Sequence, residues 1–227
     1  MCEIDIKTGV MLQNPYEVCR KFSIEDARLF YFDGELYVSV SKPEYPAYWF
    51  KQYVIRLRDN KEFRPNLNNV NKQEKNWQYF QKNDKLYMIY SIMPFVVYEV
   101  NKETFDVKNK LMDHEWKHSD SVMLRCSAPP VLIHGQYYMV VHSVDYKTYI
   151  IKFNTSFQLL GCSDALCEDV VCRYDIYFVC GFIYNAITSQ FILSVGLNNK
   201  RIALISYTKE YVDTNMRLPL LDTTQSY

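Results

Sequence analysis

The chain has 227 residues, of which 48% are hydrophobic, 16% aromatic and 23% charged. That length suits one large β domain with a real core, and the composition excludes disordered and fibrous classes. Lysine plus arginine equals aspartate plus glutamate at 26 each, so net charge gives no footprint for nucleic acid or an anionic membrane.

In chain order, four segments repeat one pattern of apolar strand, polar turn, alternating strand, loop and aromatic-aliphatic strand. The first runs Leu29–Phe32, turns at Asp33-Gly34, and continues as Leu36–Val40 and Tyr53–Leu57. The second runs Trp77–Phe80, turns at Asn83-Asp84, and continues as Leu86–Tyr90 and Phe95–Val100. The third runs Pro130–Ile133, turns at His134-Gly135, and continues as Tyr137–Val141 and Tyr149–Phe153. The fourth runs Tyr177–Ile183, turns near Thr188-Ser189, and continues as Phe191–Val195 and Ile202–Tyr207. These turns carry hairpin chemistry and recur every ~50 residues, and no useful helical periodicity competes.

The recurrence predicts an all-β fold, a β-propeller in one domain over 1–227. Its units are 25–73, 74–124, 125–172 and 173–211, with a partial N-terminal blade at 1–24 and a tail at 212–227. The tail is expected to complete the partial blade, giving five; a single β-sandwich is the alternative.

The N-terminus has no basic-then-apolar leader, and no apolar run approaches ~18 residues, so no membrane span is expected. Seven cysteines make an odd number without CxxC spacing, which reads as free thiols in a reducing, cytoplasmic setting. His114-Glu115-Trp116-Lys117-His118 fits the HExxH zinc pattern, yet it lacks an amphipathic helical context. It is read as an interblade loop, and neither metal nor cofactor is expected.

Lead strands of a propeller line its axis, so polar residues at their lead-ins converge on one mouth. Here those lead-ins are Glu25-Asp26-Ala27-Arg28, Glu74-Lys75-Asn76-Trp77 and Arg125-Cys126-Ser127-Ala128-Pro129-Pro130, and His142-Ser143 ends a second strand. Carboxylates, cations and an imidazole on one axis suit acid–base work on a polyol, although composition alone favours loop charges paired with one another. Trp49 and Tyr45, in a proline-bearing loop, are candidates for a sugar-stacking lip, and packing against neighbouring blades reads equally well.

Those lead-ins, with Val141-His142-Ser143 and the stretch Phe178 to Asn199, resemble the five-bladed β-mannoside phosphorylase and hydrolase family and its glycosyltransferase relatives. The resemblance spans roughly residues 24–207. It implies Asp26 as the proton donor, Arg28 as part of a sugar pocket, and Lys75 and His142 as holders of an attacking phosphate. Asn76 and Arg125 join them as substrate-binding candidates. The chain departs from the family pattern at Tyr90-Ser91, Ser127-Ala128 and Asn198-Asn199. Together these readings predict a carbohydrate-active enzyme transferring a glycosyl group, with a sugar or glycan substrate and a nucleotide sugar as one possible donor. A glycoside hydrolase, with Glu25 or Glu74 activating water, and a non-catalytic glycan- or protein-binding propeller are the alternatives.

Overall fold

The computed structural model describes residues 24–45, 49–67, 74–118, 121–166, 177–198 and 201–221. Blade one is the antiparallel sheet β1 (Glu25–Phe32), β2 (Glu35–Glu44), β3 (Trp49–Arg56) and β4 (Lys61–Phe63). Blade two repeats it as β5 (Gln78–Lys82), β6 (Lys85–Ser91), β7 (Phe95–Val100) and β8 (Val107–His114). A short strand β9 (Trp116–Lys117) follows. In blade three the inner position is split into β10 (Leu124–Cys126) and β11 (Val131–Ile133), both paired with β12 (Gln136–Ser143). Pro129 and Pro130, lacking N–H donors, sit in the break. The sheet continues through β13 (Thr148–Asn154) and β14 (Leu159–Ser163), and blade four is β15 (Tyr177–Asn185), β16 (Gln190–Leu197) and β17 (Arg201–Thr208).

The repeated hairpins have a common cause. Asp33, Asn83, His134 and Ser189 have φ of 49°, 54°, 48° and 53°, the left-handed conformation that tight strand connections require. Gly34 and Gly135 follow with φ of 79° and 78°, so two turns take both central residues left-handed.

Alternation along each strand then divides the core. In blade two, Tyr79, Leu86 and Met88 pack toward blade one with Phe30, Tyr37 and Val54. Their neighbours Phe80, Tyr87 and Ile89 pack toward blade three with Tyr137, Met139 and Val141. Tyr138, Val140 and Ile150 face blade four and meet Val179, Phe191 and Leu193. Phe105, fully buried at the β7–β8 turn, plugs the first seam, with its ring centroid 4.8 Å from that of Phe63 and 5.4 Å from that of Tyr37. Burying such a side chain contributes about 1.5–3 kcal/mol.

After β17 comes a short helix, α1 (Lys209–Thr214), capped by the Thr208 hydroxyl. Then β18 (Met216–Arg217) pairs with the outer edge of β14, and β19 (Leu220–Leu221) pairs with β9. The described part of the tail therefore runs as a strap along the outer edge of blade three and pairs with β9, while completion of an N-terminal blade turns on residues 1–23 and 222–227, which lie outside the described residues. Unpaired edges attract partners, and β18 covers the one that β14 presents. Gly161 permits the approach, because a Cβ there would sit 3.1 Å from the Arg217 carbonyl oxygen. The expected partial blade at 1–24 lies, but for Ile24, outside the described residues. The HExxH segment is also corrected: it is not a loop but strand, with His114 ending β8 and Trp116–Lys117 forming β9. In extended backbone the two histidines do not share a helical face.

Asp213 anchors the strap. Its carboxylate accepts from the Tyr138 hydroxyl at 2.8 Å, from Lys152 at 3.1 Å and from Lys209. Burial alone would raise its pKa, but these donors outweigh burial and hold it below the usual value. Asp213→Ala is expected to cost about 2 kcal/mol at pH 7, read by urea unfolding. The Asp213 contribution is complete above about pH 4 and disappears as pH falls through the lower folded value, so the two proteins converge in acid.

Candidate functional site at the channel mouth

The site starts with an irregularity in β1. Glu25 pairs with Ser41 but Arg28 with Ser39, so Asp26 and Ala27 together oppose a single residue. Such a bulge re-aims side chains, and Asp26 takes φ of 56°, which aspartate tolerates. The bulge turns Arg28 inward, leaving it 3% exposed. Its Nη1 donates to the Ala27 carbonyl at 3.0 Å, and its Nη2 lies 3.7 Å from an Asp26 carboxylate oxygen. Nε and Nη2 are buried and make no hydrogen bond among the described residues. Burial lowers the arginine pKa, and Asp26, Cys180 and Cys126 act in the opposite direction.

Phe178 of β15 joins this group to His142. The Arg28 guanidinium lies 4.9 Å from the Phe178 ring centroid, and the His142 ring meets the same ring edge-on at 4.9 Å. The His142 Nδ1 is 2.8 Å from the Ser127 hydroxyl. Burial, followed by the positive charges of Arg28 and Arg125, pushes the imidazole pKa down to about 4. His142 is therefore neutral at physiological pH, able to donate or accept one hydrogen bond without charge.

The second lead-in repeats the first, 50 positions on. Asn76 takes φ of 68° where Asp26 has 56°, and buried Gln78 stands where Arg28 does. The Gln78 Oε1 likewise has no hydrogen-bond partner among the described residues. Lys75 and Glu25, which occupy equivalent positions, pair with each other across the seam at 2.6 Å. The lysine ammonium also lies 3.8 Å from the Phe50 ring centroid. Lys75, Asn76, Arg125 and Cys126 line one cavity of about 330 Å³ between the lead-ins of blades two and three. Arg125 is exposed and stands opposite His142 in the β10–β12 register.

Arg28 and His142 thus meet at Phe178 with Asp26 beside the arginine, and Lys75, Asn76 and Arg125 line the cavity between the lead-ins of blades two and three. Trp49 is placed elsewhere. It opens β3 opposite Glu44, two strands out from β1 and so about 10 Å toward the periphery. Glu74 is 3% exposed, and its carboxylate accepts from the Trp77 indole at 3.1 Å and the Tyr90 hydroxyl at 3.2 Å. Sequence reasoning missed Phe178 as a platform, because it reads as one more strand aromatic. It also missed Gln78, which the 50-residue offset from Arg28 would have revealed.

Radially arranged antiparallel sheets around a polar mouth define a β-propeller, and the solved structures this chain is similar to share that fold. β-1,2-Mannobiose phosphorylase from Listeria innocua superposes with a TM-score of 0.67 over 91% of this chain at 14% identity. The chain spans 65% of that enzyme's length. A glycosyl hydrolase from Bacteroides ovatus matches with a TM-score of 0.54 at 12% identity, covering 88% of this chain and 67% of its own. A structure from the mannoside phosphorylase family, whose members include hydrolases of β-1,2 mannosidic linkages in Candida mannan, matches at 0.52 with 12% identity, covering 88% of this chain and 67% of its own. No protein-family model and no curated protein sequence matches the chain. Among the described residues no helix is long and apolar enough to cross a membrane.

A buried arginine with unspent donors is costly to the fold. Arg28→Met, similar in length and uncharged, is expected to stabilise the protein by about 1–2 kcal/mol. The same change removes a positive charge facing His142, so its imidazole pKa should rise from about 4. Thermal unfolding and an NMR titration of the imidazole read the two effects. A less stable variant with an unmoved His142 would contradict this account of the cluster.

Proposed function

We propose that the chain is a carbohydrate-active enzyme that transfers a glycosyl group at the channel mouth. The observation carrying the proposal is the Arg28 guanidinium, buried with Nε and Nη2 lacking hydrogen-bond partners among the described residues. Buried donors in native proteins find partners, and a guanidinium fits the oxygens of a sugar or phosphate. Asp26, 3.7 Å away, is the acid or base at the reacting oxygen. Lys75 and Arg125 supply positive charge for an anionic donor or nucleophile, and Asn76 adds a neutral donor and acceptor beside them. His142, uncharged beside Arg28, directs a single hydrogen bond. The likeness in fold to mannoside phosphorylases and glycoside hydrolases agrees with this reading.

Transfer is favoured over hydrolysis by the state of Glu74. An inverting hydrolase needs a second carboxylate to activate water. Glu74 is buried and engaged by Trp77 and Tyr90.

Turnover is to be measured with β-mannosides plus phosphate, with mannosyl phosphate plus sugar acceptors, and with nucleotide sugars. Asp26→Asn should reduce it by at least ~100-fold, since the amide keeps the shape and tolerates the backbone but carries no transferable proton. Lys75→Ala should weaken binding of the phosphorylated donor more than that of a neutral sugar. Full activity in Asp26→Asn would remove Asp26 from the mechanism, and absence of turnover in every assay would leave a glycan-binding propeller.

A further inference from the structure

Blade two carries a row of residues that the site above does not use. Trp77 precedes β5, Tyr90 lies in β6, Tyr98 in β7, and Lys110, opposite Tyr98, in β8. One residue per strand makes a line from the inner strand to the outer, about 15 Å long at ordinary strand spacing. The Trp77 and Tyr90 rings are 5.5 Å apart and those of Tyr90 and Tyr98 5.9 Å apart, so the rings form an unbroken series.

Open space follows that row. A cavity of about 580 Å³ lies over Tyr90, Tyr98 and Lys110 and is walled by Asn66. A second, of about 260 Å³, shares Asn66 with the first, and Glu74 and Trp77 with the cavity at the channel mouth. Tyr90 lines both the outermost and the innermost of the three. The wall is fixed to the blade, since the Asn66 amide donates to the Asp106 carboxylate at 2.9 Å and the Val107 amide to the Asn66 carbonyl at 3.2 Å. The three spaces are neighbours, each sharing lining residues with the next, in a series that ends at Lys75 and Arg125, and cavities of this size hold small-molecule ligands.

The chemistry of the lining selects the occupant. Aromatic faces bind the C–H faces of sugar rings, while amide and hydroxyl groups satisfy the ring hydroxyls. Asp106 and Lys108 also line the outer cavity, and Lys51 and Arg64 the middle one. Lys110 is met by Asp113 at 2.7 Å and Arg64 by Glu44 at 2.8 Å. Asp106 accepts from the Asn66 amide, and the Glu74 carboxylate is met by two donors. We infer that the series forms one trough and binds the distal units of a neutral oligosaccharide whose reacting end lies at Asp26. The substrate is then a chain of three or more sugars, not a disaccharide. The inference rests on the glycosyl-transfer reading for its orientation but not for the binding itself.

The test is calorimetric titration with β-1,2-linked manno-oligosaccharides of two to five units, in the absence of turnover. Affinity should rise by about tenfold from the disaccharide to the pentasaccharide, the scale of one good aromatic contact. Tyr98→Ala should remove most of that rise. Asn66→Trp, which fills the trough from an exposed position, should do the same and covers the case in which loss of Tyr98 unfolds the seam. Affinity independent of length, a rise that survives Asn66→Trp, or no binding at any length overturns the trough. Length-dependent binding together with full turnover in Asp26→Asn overturns the catalytic reading and leaves the trough standing. Flat binding with Asp26-dependent turnover does the reverse.

Discussion

Face-to-face packing of the sheets is the constraint on which the rest depends. An inner blade has no solvent face, so both side-chain sets of its strands must be apolar. Blade two meets this by giving Tyr79, Leu86 and Met88 to one seam and Phe80, Tyr87 and Ile89 to the next. Blade three does the same with Tyr137 and Tyr138, and with Met139 and Val140. Polar groups are thereby driven to the strand ends, and the ends of inner strands share one axis. The mouth is polar because the seams cannot be.

The repeat was legible because turn chemistry is local. Asp33, Asn83 and His134 announce left-handed positions in the sequence itself, and the spacing between them gives the architecture. Asp26, Arg28, Lys75 and His142 were legible as candidates because charge at a strand lead-in stands out against apolar runs. What stayed hidden is non-local. The role of Phe178 depends on which residues from two other blades reach its ring. The path of the tail depends on β14 having a bare edge, which residues 212–221 do not encode. The place of Trp49 was hidden too, because the sequence does not say that it opens β3 opposite Glu44.

The lead-ins of blades one and two are one piece of backbone used twice for different ends. Both place a left-handed residue before a buried polar side chain, yet the first presents Asp26 and Arg28 and the second Asn76 and Gln78. A left-handed residue shared by both lead-ins, with unlike chemistry around it, gives the two lead-ins unlike charge. Asymmetry of that kind lets a symmetric scaffold distinguish the two ends of a ligand. The Glu25–Lys75 pair joins the two lead-ins at 2.6 Å.

The strap imposes an order on assembly. Residues 216–221 cover the edge of β14 and the strand β9, segments made long before them. During synthesis on the ribosome, blades two and three emerge with those edges uncovered while the fourth blade is still being translated. For that interval they are open to strands of neighbouring nascent chains. The last part of the described chain to emerge is thus what shields the middle of the sequence from mispairing.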